Sequence, residues 1–286
     1  MIWRFRGRSI DLTSRGVILG IVNVTPDSFS DGGMTSGTEE AVLHGLRLLA
    51  EGADILDIGG ESTRPGSLPV SAEEELRRVI PVIRALRDST DAPISVDTSK
   101  ADVAGAALEA GADIINDVTS LSDPPMGGLA ASSGVGLILM HMQGIPLSMQ
   151  ENPSYAGNDT VGTVSKFLSE RREAAVACGV HPDALILDPG LGFGKSLSHN
   201  LALLRGIPVL RALGSPILIG HSRKSFLGMI AGEARSPDFA ARLQSGTALT
   251  ALARQLGASL FRVHDPAPHR QALRTAEAMI HGEVLP

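Results

Sequence analysis

The sequence predicts a (β/α)8 barrel, and three observations lead there. Eight short runs rich in Ile, Val and Leu recur along the chain, each ending in small or polar residues. Near-continuous apolar runs of that length suit strands buried on both faces, as in a parallel sheet. Stretches with helical apolar spacing lie between them, and eight such pairs in roughly 250 residues match the size of a closed barrel. A doubly wound open sheet is the rival fold. No G-x-G-x-x-G follows the first strand, which weakens that rival and with it a dinucleotide-binding role.

The expected strands are VILGIVN (17–23), DILDIGG (54–60), PISVDTS (93–99), DIINDV (113–118), VGLILMH (135–141), ALILDPG (184–190), PILIGHS (216–222) and SLFRVHD (259–265). The first expected helix spans 39–52 and stops at Gly52, suited to the left-handed position after a helix. The second, 71–89, opens on Ser71 with Glu74 three residues on, the pattern of a capping box; Pro81 inside it is expected to bend it. Helices follow over 100–111, 160–179, 238–257 and 267–282, with shorter ones near 124–133 and 198–205. Three helix exits, EGADILDI, AGADIIND and LGASLFRV, read as one repeated helix-to-strand joint. No linker interrupts 17–286, which is taken as one domain. Residues 1–16 are expected to form an N-terminal extension, a hairpin or flap outside the barrel.

Composition narrows the function. Hydrophobic residues make up 43% of the 286, enough for an ordinary core, and the net charge is −6. No basic stripe is visible, so a nucleic-acid partner is not expected. Cys178 is the only cysteine, which excludes intramolecular disulfides and a Cys-rich metal site within one chain. No apolar run approaches the ~20 residues needed to span a bilayer, and MIWRFRGRSIDLTSRG lacks the apolar segment of a secretory signal. A soluble cytoplasmic protein is the default expectation.

The polar residues fall where such a barrel carries its chemistry, at the C-terminal ends of the strands. Asn23 ends the first strand; Asp57 lies in the second, which runs into GGESTRPG; Asp97 ends the third, Asn116 and Asp117 the fourth, and Asp188 the sixth. The seventh runs into HSRKS, and the eighth carries Arg262 and His264. Side chains two apart share a face of a strand, so Arg262 points with His264, and Ser95 with Asp97. A lone strand-end Asp is as well read as a cap on the following turn; the whole set of polar strand ends is not. Of four lysines, Lys100, Lys166, Lys195 and Lys224, the last sits in SRKS beside several carboxylates, either as an ion-pair partner or as a ligand contact.

These segments resemble a known family. GIVNVTPDSFSDGG (20–33) and DIGGESTRPG (57–66) are similar to the first two signatures of the dihydropteroate synthases. SVDTSK (95–100), ADIINDV (112–118), LMHMQG (139–144), LDPGLGFGK (187–195), SRKSFLG (222–228) and RVHD (262–265) resemble the rest, in the family's order. The resemblance runs from about residue 17 to the C-terminus. It implies a (β/α)8 barrel that joins 6-hydroxymethyl-7,8-dihydropterin pyrophosphate to p-aminobenzoate, giving 7,8-dihydropteroate and pyrophosphate in folate synthesis, with Mg²⁺ as cofactor. It also implies a homodimer and competition by sulfonamides, which mimic p-aminobenzoate.

By the same resemblance, Asp188 takes the N–H edge of the pterin, which a carboxylate accepts well. Asn116 lies beside it, Lys224 donates to the ring, Gly192 and Phe193 line the pocket, and Asp97 stands near the reacting side. Met140 packs on the ring, although a strand-end Met is equally ordinary core filler. Asn23, Arg64, Arg262 and His264 hold the pyrophosphate, Asn23 also touching Mg²⁺; a single Asn fits an ion held mainly by waters and substrate phosphates. For His264 the plain alternative is a satisfied buried histidine. Phe29, Thr63, Pro65, Ser222 and Arg223 build the p-aminobenzoate pocket. Asp97, Lys224 and Asn23 are the expected catalytic residues of an ionisation-first transfer that needs no covalent nucleophile. The loops 24–37 and 61–70 are expected to be mobile and to close over the site.

Two departures stand out. YAGNDTVGT (155–163) differs from the family's spacing, with no effect on catalysis expected, and His221 occupies a variable position. Three other readings are weighed. A methyltetrahydrofolate-dependent methyltransferase has no pyrophosphate to hold, against Arg64, the SRK run and the Arg262/His264 pair. A non-catalytic pterin-binding paralogue would lack a strand-end or loop residue, and none is missing. A Schiff-base aldolase needs a desolvated lysine inside a strand, whereas Lys224 lies in a loop.

Overall fold

The computed structural model describes residues 1–25, 33–232 and 239–284. A two-stranded antiparallel hairpin, β1 (Ile2–Phe5) and β2 (Arg8–Asp11), precedes the barrel. The barrel strands are β3 (Val17–Asn23), β4 (Ile55–Gly59), β5 (Ile94–Asp97), β6 (Ile114–Asp117), β7 (Gly136–Met140), β8 (Leu185–Asp188), β9 (Leu218–Gly220) and β10 (Leu260–Val263). They form one parallel sheet in the order β8-β7-β6-β5-β4-β3-β10-β9. A parallel bridge between Leu187 and Ile217, with the Leu187 amide donating to the Pro216 carbonyl at 3.0 Å, joins β8 to the chain entering β9 and closes the sheet on itself. Each barrel strand falls inside one of the eight apolar runs.

The helices are α1 (Gly33–Ala50), α2 (Ala72–Ser89), α3 (Ala101–Glu109), α4 (Pro125–Ser133), α5 (Thr160–Ala177), α6 (Leu197–Arg205), α7 (Ile207–Arg211), α8 (Ser225–Ile230), α9 (Phe239–Gln255) and α10 (Pro266–His281). Three details differ from expectation. The helix α1 begins at Gly33, so the end of the stretch 24–37 is helical rather than loop. Half of the capping box forms: Ser71 Oγ accepts from the Glu74 amide at 3.2 Å, but the Glu74 carboxylate is taken by Arg77 and Arg78. The short α7 and α8 have too few turns to leave a readable period.

The repeated joint is real. After α1, α3 and α9, Gly52, Gly111 and Gly257 are left-handed, and the following alanine amide reaches back at 2.9 Å to Leu48, Ala107 and Ala253 respectively. That is the bonding of a Schellman motif, which satisfies carbonyls the helix end would leave bare. An arginine side chain lies over each glycine, Arg270, Arg87 and Arg211 in turn.

The core has two parts. One lies between sheet and helices. The other fills the lower half of the barrel, where Val17, Leu19, Ile55, Ile114, Ile138, Ile186, Leu218 and Leu260 close around Trp3, Phe5 and Leu12 from the hairpin. Trp3 is fully buried, and its indole N–H donates to the Ala184 carbonyl at 3.0 Å. A side chain at Gly136 would lie 2.8 Å from the indole, so the missing side chain there makes room for the ring. The hairpin thus stoppers the floor and leaves the opposite mouth for chemistry. Trp3→Ala is expected to lower unfolding free energy by about 3–5 kcal/mol, the usual cost of an aromatic-to-alanine cavity, with turnover retained; urea denaturation beside a rate assay checks both.

Behind β9, three buried polar side chains meet. Thr250 Oγ1 lies 2.9 Å from His221 Nε2 and 2.7 Å from His269 Nδ1, and His221 Nε2 lies 2.9 Å from the Gly246 carbonyl. Burial pushes His221 down to about 3 and His269 to about 4. Both are neutral in the fold and take up protons in the unfolded chain below about pH 6.5, so each lowers stability as pH falls from there towards its folded value. At pH 5 the deficit is about 2 kcal/mol per histidine. Burial raises Asp97 and Asp188, which act in the opposite sense. The diagnostic quantity is therefore a difference: between pH 7.5 and pH 5, wild type is expected to lose about 2 kcal/mol more than His269→Gln, measured by urea unfolding. Among the described residues no helix is long and apolar enough to cross a membrane.

Candidate active site

The inward-facing residues change character with height. Below is the apolar layer around Trp3; above it, period-two alternation brings Asp57, Ser95, Asp97, Asn116, Asp188 and Arg262 into the barrel. Register sets their neighbours: Asn23 lies beside Gly59, Gly59 beside Asp97, Asp97 beside Asn116, and Met140 beside Asp188. Two of the places are glycine. A side chain at Gly59 would stand 3.6 Å from Asp97 Cβ and 3.9 Å from Asn23 Oδ1, and one at Gly220 would stand 3.8 Å from Asp188 Oδ2 and 3.9 Å from Arg262 Cβ. These absent side chains keep the mouth open between its charged groups.

Arg262 is the hub. Its Nε donates to Asp57 Oδ2 at 2.5 Å and its Nη2 to Asp97 Oδ2 at 2.6 Å, while Asn116 Nδ2 donates to the same Asp57 oxygen at 3.3 Å. Asp57 is fully buried. Burial pushes Asp97 up to about 7; Arg262 opposes the rise and Asp57, Glu75 and Glu61 add to it. Burial works against the Arg262 charge too, but Asp57 and Asp97 outweigh it and hold the proton on. Asp57 is the principal residue missing from the expected site. Alternation placed it inside; its partner lies in the last strand, so only closure reveals the pair.

A second group forms at the ends of β8 and β9. Asp188 Oδ1 accepts from the Gly190 amide at 2.7 Å. Burial raises its pKa and Lys224 opposes the rise. Lys224, half-buried, donates to the Leu191 carbonyl, and its ammonium stands 4.3 Å from the centre of the Phe193 ring. Burial brings it down to about 7 against the pull of Asp188. In the LDPGLGFGK loop, a side chain at Gly190 would meet the His141 carbonyl at 1.9 Å and one at Gly194 the Gln143 carbonyl at 2.3 Å; only glycine permits that approach. Gly192 packs against the Lys224 stem.

Buried Lys195 props this loop from below, donating to the carbonyls of Phe193 (2.9 Å) and His141 (3.3 Å) and lying 3.0 Å from His141 Nδ1. Tyr155, from the segment with unusual spacing, donates its hydroxyl to the Gly194 carbonyl at 3.1 Å. That segment therefore supports the loop that carries Gly192 and Phe193. Neither Lys195 nor Tyr155 was expected in the site; their targets are carbonyls, which carry no sequence signal.

At the rim, Ser222 Oγ accepts from the His264 amide at 3.2 Å and lies 3.1 Å from His264 Nδ1. Burial, then Arg223 and Arg262, drive His264 down to about 3, so it is neutral here. Arg223, left-handed at φ 61°, pairs with Asp265 at 2.8 and 3.1 Å. Thr63 is half-buried, and Arg64 and Pro65 are exposed, in the loop after β4. Among the described residues no hydrogen bond or ion pair joins Thr63 or Pro65 to Ser222 or Arg223. Met140 is buried beside Asp188. Phe29 lies outside the described residues. The structure thus gathers Asp97, Asn116, Asp188, Met140, Arg262 and Asn23 in one mouth, with Lys224, Phe193 and His264 around it, and carries Thr63, Arg64, Pro65, Ser222 and Arg223 on the loops that follow β4 and β9.

Comparison with known proteins gives the family. A family model described as pterin binding enzyme matches residues 19–264. The dihydropteroate synthase of Escherichia coli K12 is 44% identical over 275 residues, covering 96% of this chain and 95% of that protein. The chain belongs to the dihydropteroate synthase family. As a member of that family it is a transferase. Two solved synthases share its shape. That of Xanthomonas albilineans, with 4-aminobenzoic acid, superposes at TM-score 0.89 and 47% identity over 100% of this chain and 99% of that one. That of Yersinia pestis, in a sulfonamide drug complex, does so at TM-score 0.89 and 43% identity over 98% and 99%.

Proposed function

We propose that this chain joins 6-hydroxymethyl-7,8-dihydropterin pyrophosphate to p-aminobenzoate, releasing pyrophosphate and 7,8-dihydropteroate for folate synthesis. The observation that carries the reading is one mouth with two unlike halves: a carboxylate, amide and lysine set (Asp188, Asn116, Lys224) suited to a heteroaromatic edge, and an arginine and histidine set (Arg262, His264, with Arg64 at the rim) suited to a polyanionic leaving group.

Asp188 has one oxygen held by the Gly190 amide, which leaves the other for the adjacent N–H donors of the pterin. That contact favours the ionised carboxyl, and a charged Lys224 with it, reversing the neutralising effect of burial. Asn116 is fixed by Asp57 and pairs with the same ring edge. Phe193, Gly192 and Met140 bound the ring faces. Arg262 uses two of its five N–H groups on Asp57 and Asp97, and the others can turn to the pyrophosphate. His264 and Asn23 complete that side. Asp97, held beside Arg262, faces the positive charge that develops on the pterin methylene as the C–O bond breaks. The amine of p-aminobenzoate then attacks that carbon, with Thr63, Pro65, Ser222 and Arg223 holding its ring and carboxylate. No nucleophilic side chain is required, so the work is positioning and electrostatics.

The donors at the mouth fit Mg²⁺ that arrives with substrate. Asn23 Oδ1 is close to Asp97 across Gly59, and among the described residues no group of three or more His, Cys, Asp or Glu could cage an ion. One amide oxygen is what a phosphate-borne, mainly hydrated Mg²⁺ asks of a protein. When bound, the ion supplies charge neutralisation on the departing pyrophosphate.

The proposal includes a cytoplasmic setting, to which a free, exposed Cys178 is suited. It also includes a homodimer through the outer helices, supported by exposed Leu252 on α9, Leu256 just beyond its end, and Met279 and Ile280 on α10; sedimentation at a monomer mass would remove that part. The deciding assay is pyrophosphate release with dihydropterin pyrophosphate and Mg²⁺. It is expected to rise with p-aminobenzoate, to yield dihydropteroate, and to be inhibited competitively by sulfamethoxazole. Pterin binding without release, or turnover untouched by a large sulfamethoxazole excess, would contradict the reading.

A further inference from the structure

Lys100 breaks a local rule. It occupies the N-cap position of α3, makes no side-chain cap bond there, and sets a cation at the positive end of a helix; Asp123 from further along the chain caps the Ala101 amide instead, at 2.7 Å. Its ammonium is turned away to two carboxylates, Glu61 and Glu75, the latter at 2.6 Å. Glu75 is itself an oddity: a fully buried carboxylate on α2 whose Oε1 has no partner among the described residues. A buried charge of that kind is costly unless paired, and Lys100 is the cation that pairs with it. Glu61 is the first residue beyond Gly60 in the loop that carries Thr63, Arg64 and Pro65.

The same loop root is gripped on its backbone. Arg78 of α2 donates to the Gly60 carbonyl at 2.8 Å. A side chain at Gly60 would meet Val79 Cγ1 at 2.7 Å and Glu75 Cγ at 3.1 Å, so the chain rests directly on α2 there. Further out, the Gly66 amide donates to the Pro146 carbonyl at 2.9 Å, and Ser62 and Ser67 hydroxyls lie 2.9 Å apart. Between root and tip, Thr63, Arg64 and Pro65 are held as a short arch. Glu75 lies on α2 in the core and Lys100 at the start of α3, so Glu61 is the member of the three that belongs to the loop.

We propose that Lys100 is a positioning residue for p-aminobenzoate: anchored on buried Glu75, it clamps Glu61 and so sets where Thr63 and Pro65 stand over the mouth. The inference rests on the proposed synthase reading for its ligand, but the clamp itself is independent of it. It predicts selectivity, because Asp188 and Lys224 stand away from Lys100, at the ends of β8 and β9, and among the described residues no side-chain hydrogen bond or ion pair joins Lys100 to them or to Asn116 on the neighbouring β6.

The test uses the full chain with Glu61→Gln, Lys100→Met and Lys100→Arg. Glu61→Gln leaves the Lys100–Glu75 pair intact and so guards against a misfolded Lys100→Met. Glu61→Gln and Lys100→Met are expected to raise the KM for p-aminobenzoate about tenfold, within the range of up to about a hundredfold that ångström-scale misplacement of a positioned group costs. The KM for dihydropterin pyrophosphate and calorimetric pterin affinity are expected to stay at the wild-type value, and Lys100→Arg to restore most of the loss. Amide hydrogen exchange over 61–67, measured without substrates, is expected to speed up in the first two variants and not in the third. Unchanged exchange and an unchanged KM for p-aminobenzoate in Glu61→Gln would overturn the clamp. A fall in pterin affinity parallel to that for p-aminobenzoate would overturn its selectivity. If wild type releases no pyrophosphate, the synthase reading fails and the p-aminobenzoate role with it, while the exchange arm still decides whether the loop is clamped.

Discussion

Arg262→Met is expected to abolish synthase turnover, by at least about a thousandfold, and to cost about 3–5 kcal/mol of stability. Both effects have one cause. The guanidinium bridges Asp57 and Asp97, so its loss leaves two carboxylates side by side in the barrel without a counter-charge. Protonating them relieves that, so the stability deficit is expected to be smaller at pH 5 than at pH 8. Arg262→Lys is not a rescue, because a single ammonium cannot reproduce two directed bonds to separate carboxylates. Arg262→Met with Asp57→Asn is expected to recover part of the stability and none of the rate. Urea unfolding at the two pH values and pyrophosphate release measure the two halves. A single variant that keeps wild-type stability would show that the bridge is not what holds the acids.

Asp188→Asn is expected to weaken pterin binding by about a thousandfold, the scale of leaving a buried hydrogen-bonding edge mismatched. The substitution conserves volume and keeps an acceptor for the Gly190 amide, but it turns an NH2 towards the N–H donors of the ring. Because Asp188 is raised by burial rather than held in an ion pair, little stability should be lost, and thermal unfolding of the free protein is expected near wild type. Calorimetry with a pterin checks the affinity. Retained affinity would move the pterin away from Asp188.

Much of this was legible before any coordinates. The strands were readable because a parallel barrel buries both faces of each, which leaves continuous Ile, Val and Leu runs. The strand-end polar residues were readable because Asn23, Asp97, Asn116 and Asp188 each end a near-continuous apolar run, at the end where such a barrel carries its chemistry. What stayed hidden was partnership. Asp57 meets Arg262 from 205 residues away, and no local pattern encodes that distance. Lys195 and Tyr155 were hidden for another reason: they act on backbone carbonyls. A hairpin within residues 1–16 was readable and is present, but its place was not: Trp3, Phe5 and Leu12 enter the barrel instead of lying outside it, and that role depended on a cavity that only eight closed strands create.

That cavity has a kinetic side. Trp3 is near the start of the chain, yet its indole bonds to Ala184 and its neighbours include Leu218 and Leu260. This early segment must therefore wait until the last strands exist to receive it. Contacts of such sequence separation are slow to form, which makes hairpin docking a natural late event in refolding. The chain contains one tryptophan, so its intrinsic emission is a built-in clock for barrel completion, reporting the final step and little of what precedes it.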